Sequence, residues 1–250
     1  MLKFFRKIRQ NLLSEGKTGK YLKYAIGEVL LVMIGIILAL QVNNWNENRK
    51  IRIVEKSALS NLKKDFEFNL SSIEDLIETT SREIEVGLKI LSNTGKKSDG
   101  INEIDLDSML IPIGNYQIYF SQNGFLTDLL NSGNIGIIEN DSLRVLLSSW
   151  GQTIEELYRK EQAALHHHTL LIDYIKEKGS WLNVDNQYPS FGIAYPKSGF
   201  EIDNNSLLQQ VEFENLVDEV INRKAGLREK QKKVQTLNGT ILRLIQIELD

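Results

Sequence analysis

The stretch Ala25–Val42, AIGEVLLVMIGIILALQV, carries one charge, Glu28, in 18 residues. As a helix rising about 1.5 Å per residue it measures roughly 27 Å, close to the ~30 Å hydrocarbon core of a bilayer. Val29–Leu40 is apolar on every face, whereas a helix on a soluble core keeps a polar one. Tyr21 and Tyr24 on one side and Trp45 on the other supply interfacial aromatics. The reading is a transmembrane helix. A buried helix of a soluble protein is the competing account, and the basic segment ahead of the stretch argues against it. A cleaved signal peptide would have a much shorter leading segment than 24 residues, and no small-x-small cleavage site follows.

Charge sets the expected orientation. Residues 1–24 hold seven Lys/Arg (Lys3, Arg6, Lys7, Arg9, Lys17, Lys20, Lys23) against Glu15, while Arg49, Lys50, Arg52 and Lys56 follow the apolar stretch. A basic tail resists translocation, which places the N-terminus in the cytoplasm and the remainder across the membrane. The expected division is a cytoplasmic tail over 1–24, a membrane helix over 25–42 and an exported domain over 43–250, periplasmic in a Gram-negative cell. Within the tail, Phe5, Ile8 and Leu12 recur at helical spacing among basic residues, with Gly16 as a terminator. That pattern suits an amphipathic helix on anionic lipid, or an orientation signal alone.

Beyond residue 24 the chain holds 23 basic and 32 acidic residues, a balance that does not suit a nucleic-acid partner. With no cysteine, disulfides, Cys-ligated metals and thiol chemistry are excluded. At 42% hydrophobic, the exported part can bury a core.

Three proline-free stretches with apolar residues three and four apart predict long helices. The first runs from about Asn44 to Leu91 through Ile51, Val54, Ala58, Leu62, Phe66, Leu70, Ile73, Leu76, Ile77, Thr80, Ile84 and Leu88, and continues from the membrane helix. The second runs from the Asn140-Asp141 cap to Lys178 before Gly179, with Leu143, Leu147, Trp150, Ile154, Leu157, Ala164, His168, Leu171 and Ile175 inward. The third covers about Glu212 to Glu248, with Phe213, Leu216, Val217, Val220, Leu227, Val234, Ile241 and Ile245 inward. Short helical pieces near Leu106–Ile111 and Asn123–Asn131, the latter closed by Gly133, form a helical tip. The fold class is all-α: one membrane helix, then an exported coiled-coil-like bundle of three long helices.

Residues 179–205 read as an irregular connection rich in aromatics: Trp181, Tyr188, Phe191, Tyr195 and Phe200. If the second helix returns from the tip, its 38 residues span about 57 Å, which puts this connection near the membrane and the C-terminus far from it. Loops of this length are often functional, and aromatics favour interfaces and headgroup regions, so these five are candidate partner or membrane contacts. The plainer account is that the rings cap the base of the bundle.

The opening LKFFRKIRQNLLSEGKTGKYLKYAIGEVLLVMIGIILALQVNNWNE and the later LTDLLNSGNIGIIENDSLRVLLSSW resemble two recurring blocks of a protein family abundant in flavobacteria, catalogued as domain of unknown function 6090. The resemblance implies a bacterial inner-membrane protein with an exported helical domain, and implies no activity.

Glu28 is an ionisable group inside the membrane helix, one turn from its cytoplasmic end and within reach of Lys20 and Lys23. Helix–helix contact or interfacial placement explains it at lower cost than an ion pathway. Gly35 and Ala39 form a small-xxx-small pair, with Gly27 two turns earlier, and point to close helix packing in a homo-oligomer. His166, His167 and His168 project about 100° apart on a helix and do not converge on one ion; only His168 lies on the apolar stripe. No phosphate loop, HExxH or nucleophile elbow occurs. The expectation is a non-enzymatic membrane-anchored interaction or scaffold protein without catalytic, cofactor or metal residues. Its partners are the bilayer, further copies of itself and other membrane or envelope proteins. The alternatives are a ligand-sensing bundle coupled to a separate transducer, and a stator-like energy-coupling subunit using Glu28.

Overall fold

The computed structural model describes residues 18–95, 104–188 and 192–250. The tail helix expected around Phe5–Leu12 and the aromatic Phe191 lie outside the described residues, as do the side chains of Tyr21 and Tyr24. The described chain is all-helical and contains no strand: α1 (Thr18–Leu91), α2 (Leu106–Gly114), α3 (Gly124–Asn131), α4 (Asp141–Lys178), α5 (Trp181–Gln187) and α6 (Val211–Leu249), with 3-10 turns at Asn134–Ile137 and Asn204–Gln209. It divides into two units, residues 1–57 and 58–250.

In the first unit α1 alone carries the apolar stretch. An 18-residue window beginning at Ala25 has a mean hydropathy of 2.4 and no buried residue, the length and composition of a membrane span or of a signal sequence. Val29–Leu40 is exposed throughout.

The second unit is assembled on a shared repeat. Buried positions on α1 fall at Leu59, Leu62, Phe66, Asn69, Ile73, Leu76, Thr80, Glu83, Gly87 and Ile90, alternating three and four apart. The same alternation runs through α4 from Leu143 to Ile175 and through α6 from Phe213 to Ile245. That 3.5-residue period is the one that keeps an apolar seam facing its neighbour along two long helices.

Caps fix the helix ends. The Asn140 side chain accepts from the Leu143 N–H at 2.9 Å, and Gly179 ends α4. Gly133 adopts φ 72°, the left-handed conformation glycine tolerates best, just past α3. α2 extends through Pro112 to Gly114, a turn beyond the expected Ile111.

Pairings across the second unit set the helix directions. From α1 and the turn that follows it to α6, Lys63 meets Gln246, Glu74 meets Gln235, Glu83 meets Lys224 and Thr94 meets Glu214, so these helices are antiparallel. α4 also runs against α6, through Asn140–Glu248, Glu156–Lys230 and Tyr174–Gln210. α4 therefore runs with α1, and Phe66 packs edge-on against Trp150 with ring centroids 4.8 Å apart.

This reverses the expected path. The return along α1 is made by residues 115–123, so the two short helices do not form one tip. α2 joins a core cluster with Ile84, Ile90, Leu171 and Val217, and α3 joins the other with Leu59, Leu62 and Phe66. Between them residues 115–123 run without helix along the seam. Nine extended residues reach about 30 Å, which a helical piece of the same size would not. In consequence Trp181, Val184, Leu207 and Leu208 pack in the core cluster that holds Ile84 and Ile90 of α1, and Gln246 in the last turns of α6 lies beside Lys63.

Candidate functional site

The non-helical segment 115–123 creates a problem that the buried polar residues answer. Backbone N–H and C=O groups enclosed by helices need partners, because each one left unmet costs about 1–3 kcal/mol. Asn69, wholly buried on α1, donates through Nδ2 to the Gln122 carbonyl at 2.9 Å and accepts at Oδ1 from the Gln122 N–H at 2.6 Å. On α4 the buried Glu161 accepts at Oε1 from the Tyr119 N–H at 2.8 Å. The Tyr116 hydroxyl donates to the Glu161 backbone carbonyl at 2.5 Å and the Tyr119 hydroxyl to the Asn69 carbonyl at 3.3 Å.

Further along α1 from Asn69 lies an ion pair. Lys224 Nζ on α6 is 2.7 Å from Glu83 Oε2 on α1, with both side chains 6% exposed. The same ammonium sits 4.3 Å from the centroid of the Tyr116 ring, a cation–π contact. Tyr116 in turn leans on the His168 ring, with centroids 5.2 Å apart. His168 Nε2 lies 2.6 Å from the Ile113 carbonyl. A carbonyl only accepts, so Nε2 carries the proton and Nδ1 is the unprotonated nitrogen of the neutral ring. Beside this cluster, among Gly87, Ile113 and Leu171, is a cavity with about 10 Å³ of room, the space of one water.

Burial dominates the electrostatics. Desolvation raises the Glu83 carboxyl above its ordinary value against the pull of Lys224. It raises Glu161 to about 7, outweighing the Tyr119 N–H bond and the attraction of Lys224. Burial lowers His168, opposed by its bond to Ile113 and assisted by Lys224. Both tyrosines are raised by burial and then by the neighbouring carboxylates. The cluster thus gathers two carboxyls, one ammonium and one neutral imidazole on three helices and the strap they enclose.

Of these residues only His168 stood on an expected inward stripe. His167 instead approaches Glu219, at 3.7 Å, so adjacent histidines serve different neighbours. On α6 the inward face also includes Lys224, Gln231 and Asn238, spaced by seven. Gln231 Oε1 and both amide atoms of Asn238 are buried without a hydrogen-bond partner among the described residues. The signal that finds all of them is the heptad carried through polar positions.

The residues singled out in the membrane stretch sit on α1 of the first unit. Glu28 is half-buried, Ala39 is exposed, and a Cβ added at Gly27 or Gly35 would meet nothing within 4 Å. The aromatic set is divided. Trp181 opens α5 behind its N-cap Ser180 and packs on the second core cluster, where its ring would lie 2.8 Å from a Cβ at Gly114. The helix at Trp181–Gln187 replaces part of the irregular connection expected over 179–205, because Ser180 accepts from the Asn183 N–H. Tyr195 is half-buried, whereas Tyr188 and Phe200 are 64% and 79% exposed.

The profile of a family of unknown function, DUF6090, matches residues 28–172, more than half of the chain. The chain belongs to the DUF6090 family. Within it the matched span runs from Glu28 in α1 to Ile172 in α4, and so includes Asn69, Glu83, Tyr116, Tyr119, Glu161 and His168. Lys224 and the rest of α6 lie beyond it. No curated protein and no solved structure matches the DUF6090 chain.

Proposed function

We propose that the chain is a single-pass membrane protein with its basic N-terminus in the cytoplasm, whose exported three-helix bundle is a non-enzymatic interaction scaffold. One observation carries the reading. The apolar stretch of α1 has no packing partner, while the second unit closes its own core. Each large apolar side chain left in water forgoes roughly 1.5–3 kcal/mol. A run of twelve apolar positions, Val29–Leu40, ten of them large and only Gly35 and Ala39 small, favours lipid over solvent. The uneven Lys/Arg distribution supports the orientation.

The scaffold reading draws on the cluster around Lys224. Every polar group described there has a structural task, tying the 115–123 strap or pairing across helices, which supports a rigid support over a reaction centre. The small residues Gly27, Gly35 and Ala39 support self-association through the membrane helix, with Glu28 at a helix–helix or headgroup contact. Bacterial inner-membrane placement follows from the same reading. Mild-detergent co-purification from native membranes tests it. Stoichiometric recovery of further copies or of another envelope protein is the expected result, and a monodisperse single copy with no companion contradicts it.

A further inference from the structure

At the α5 end of the second unit an open depression of about 420 Å³ lies between α2, α5 and residues 197–200. Its volume falls within the range of small-molecule sites. Acceptors fill one side of its wall. Asn183 Nδ2 donates to the Ile202 carbonyl at 3.1 Å, and Asn186 Nδ2 donates to the carbonyls of Leu182 and Pro196 at 3.0 and 2.9 Å. Carbonyls only accept, so both amides are fixed with their Oδ1 atoms as the remaining acceptors. Asp107 Oδ1 receives the Asn204 amide at 2.5 Å, and its second oxygen adds a third acceptor. The wall therefore asks for a ligand that brings donors.

Charge narrows the class. Asp105 and Asp203 act on Asp107 as like charges, against one cation on the rim, Lys197. Asp107 and Lys197 are the charged groups of the lining, and the negative charge that Asp105 and Asp203 add close to Asp107 disfavours phosphate and carboxylate ligands. The remaining wall is the Gln187 amide, which both donates and accepts, a Ser198 hydroxyl and the 79% exposed Phe200 ring, which offers a flat apolar face of the kind that stacks on C–H groups. A fixed set of planar acceptors beside an aromatic ring fits adjacent hydroxyls on a puckered, partly apolar ring. We propose that this depression binds a small hydroxyl-rich ligand, an uncharged or amino-bearing sugar of one or two rings.

The test uses the full chain in a zwitterionic detergent without a sugar headgroup. Saturation-transfer NMR and calorimetry are run with glucosamine, methyl glucoside, cellobiose and glucuronate, each at about 10 mM, suited to millimolar affinities. The expected result is binding of at least one uncharged or amino sugar and none of glucuronate. Phe200→Ala is expected to weaken that binding by about tenfold or more, with an unchanged melting temperature because the ring is exposed. Asp107→Asn keeps an oxygen for Asn204 and is expected to remove any preference for glucosamine over methyl glucoside. Failure of all the uncharged and amino sugars to bind overturns the proposal, as does binding of glucuronate alone or binding that survives Phe200→Ala undiminished.

Discussion

Lys224 and Glu83, 141 positions apart in sequence, meet at 2.7 Å with only 6% of either side chain exposed. The pair joins the last helix to the first at the level where the Tyr116 ring covers the ammonium. A charge taken from water at such a place is held by its partner or not at all, so the two residues act as one unit.

The first prediction follows from that coupling. Lys224→Met leaves Glu83 buried and unpaired, and Glu83→Gln does the same to Lys224. Each single change is expected to cost about 3–5 kcal/mol. The double change removes both charges and is expected to recover much of the loss. Thermal melts of the four proteins give the coupling energy, and additive losses would show that the pair is not coupled.

Glu161 makes the stability depend on pH. Its folded value, about 7, lies above the ordinary 4.5, so the folded chain holds a proton that the unfolded chain releases between those values. Stability from this group is complete below about 4.5 and is lost as pH rises through about 7. His168, lowered by burial, has the opposite slope, gaining stability as pH rises through the ordinary imidazole value of 6.5. Glu161→Gln keeps the acceptor for the Tyr119 N–H and leaves His168 in place, so the difference from the parent isolates Glu161. The variant is expected to melt higher at pH 8, by up to about 3 kcal/mol in stability, and to match the parent near pH 5. A constant difference at both pH values would contradict the assignment.

Asn238 is wholly buried on the α6 seam, with neither amide atom partnered among the described residues. An unmet amide costs about 1–3 kcal/mol, and a leucine of similar length supplies apolar contact instead. Asn238→Leu is therefore expected to raise the melting temperature by several degrees. The change also removes a polar seam residue of the kind that fixes register. Chromatography that shows new oligomers in the variant would assign Asn238 to that role.

Gly35 offers an open backbone face on the membrane stretch. Gly35→Leu is expected to weaken self-association in mild detergent while leaving the helix content unchanged, because leucine keeps the two backbones apart. Light scattering reads the mass directly. A parent protein that is already monomeric contradicts self-association through this face.

The helices were legible because apolar spacing, the Asn140 cap and the Gly133 and Gly179 stops are local signals. The burial pattern was only partly legible. A stripe drawn through apolar residues alone turned Ile51, Val54 and Leu88 inward, yet all three are more than half exposed, and it passed over Asn69, Glu83, Glu161 and Lys224. Those four stand on the same three-four alternation as their apolar neighbours, but the partners that meet their polar groups come from distant segments that spacing does not name. The direction of α4 was misread for a related reason. Helix length indicated the element able to return along α1, whereas the return is made by 115–123, whose backbone Asn69 and Glu161 tie to the seam.

The most direct measurement is the intact mass of the chain recovered from membranes washed with alkaline carbonate. A membrane helix over Ala25–Val42 predicts the full 28.6 kDa in the membrane pellet. A carbonate-soluble protein shortened from its N-terminus past the apolar stretch would identify a cleaved signal sequence and contradict the membrane anchor.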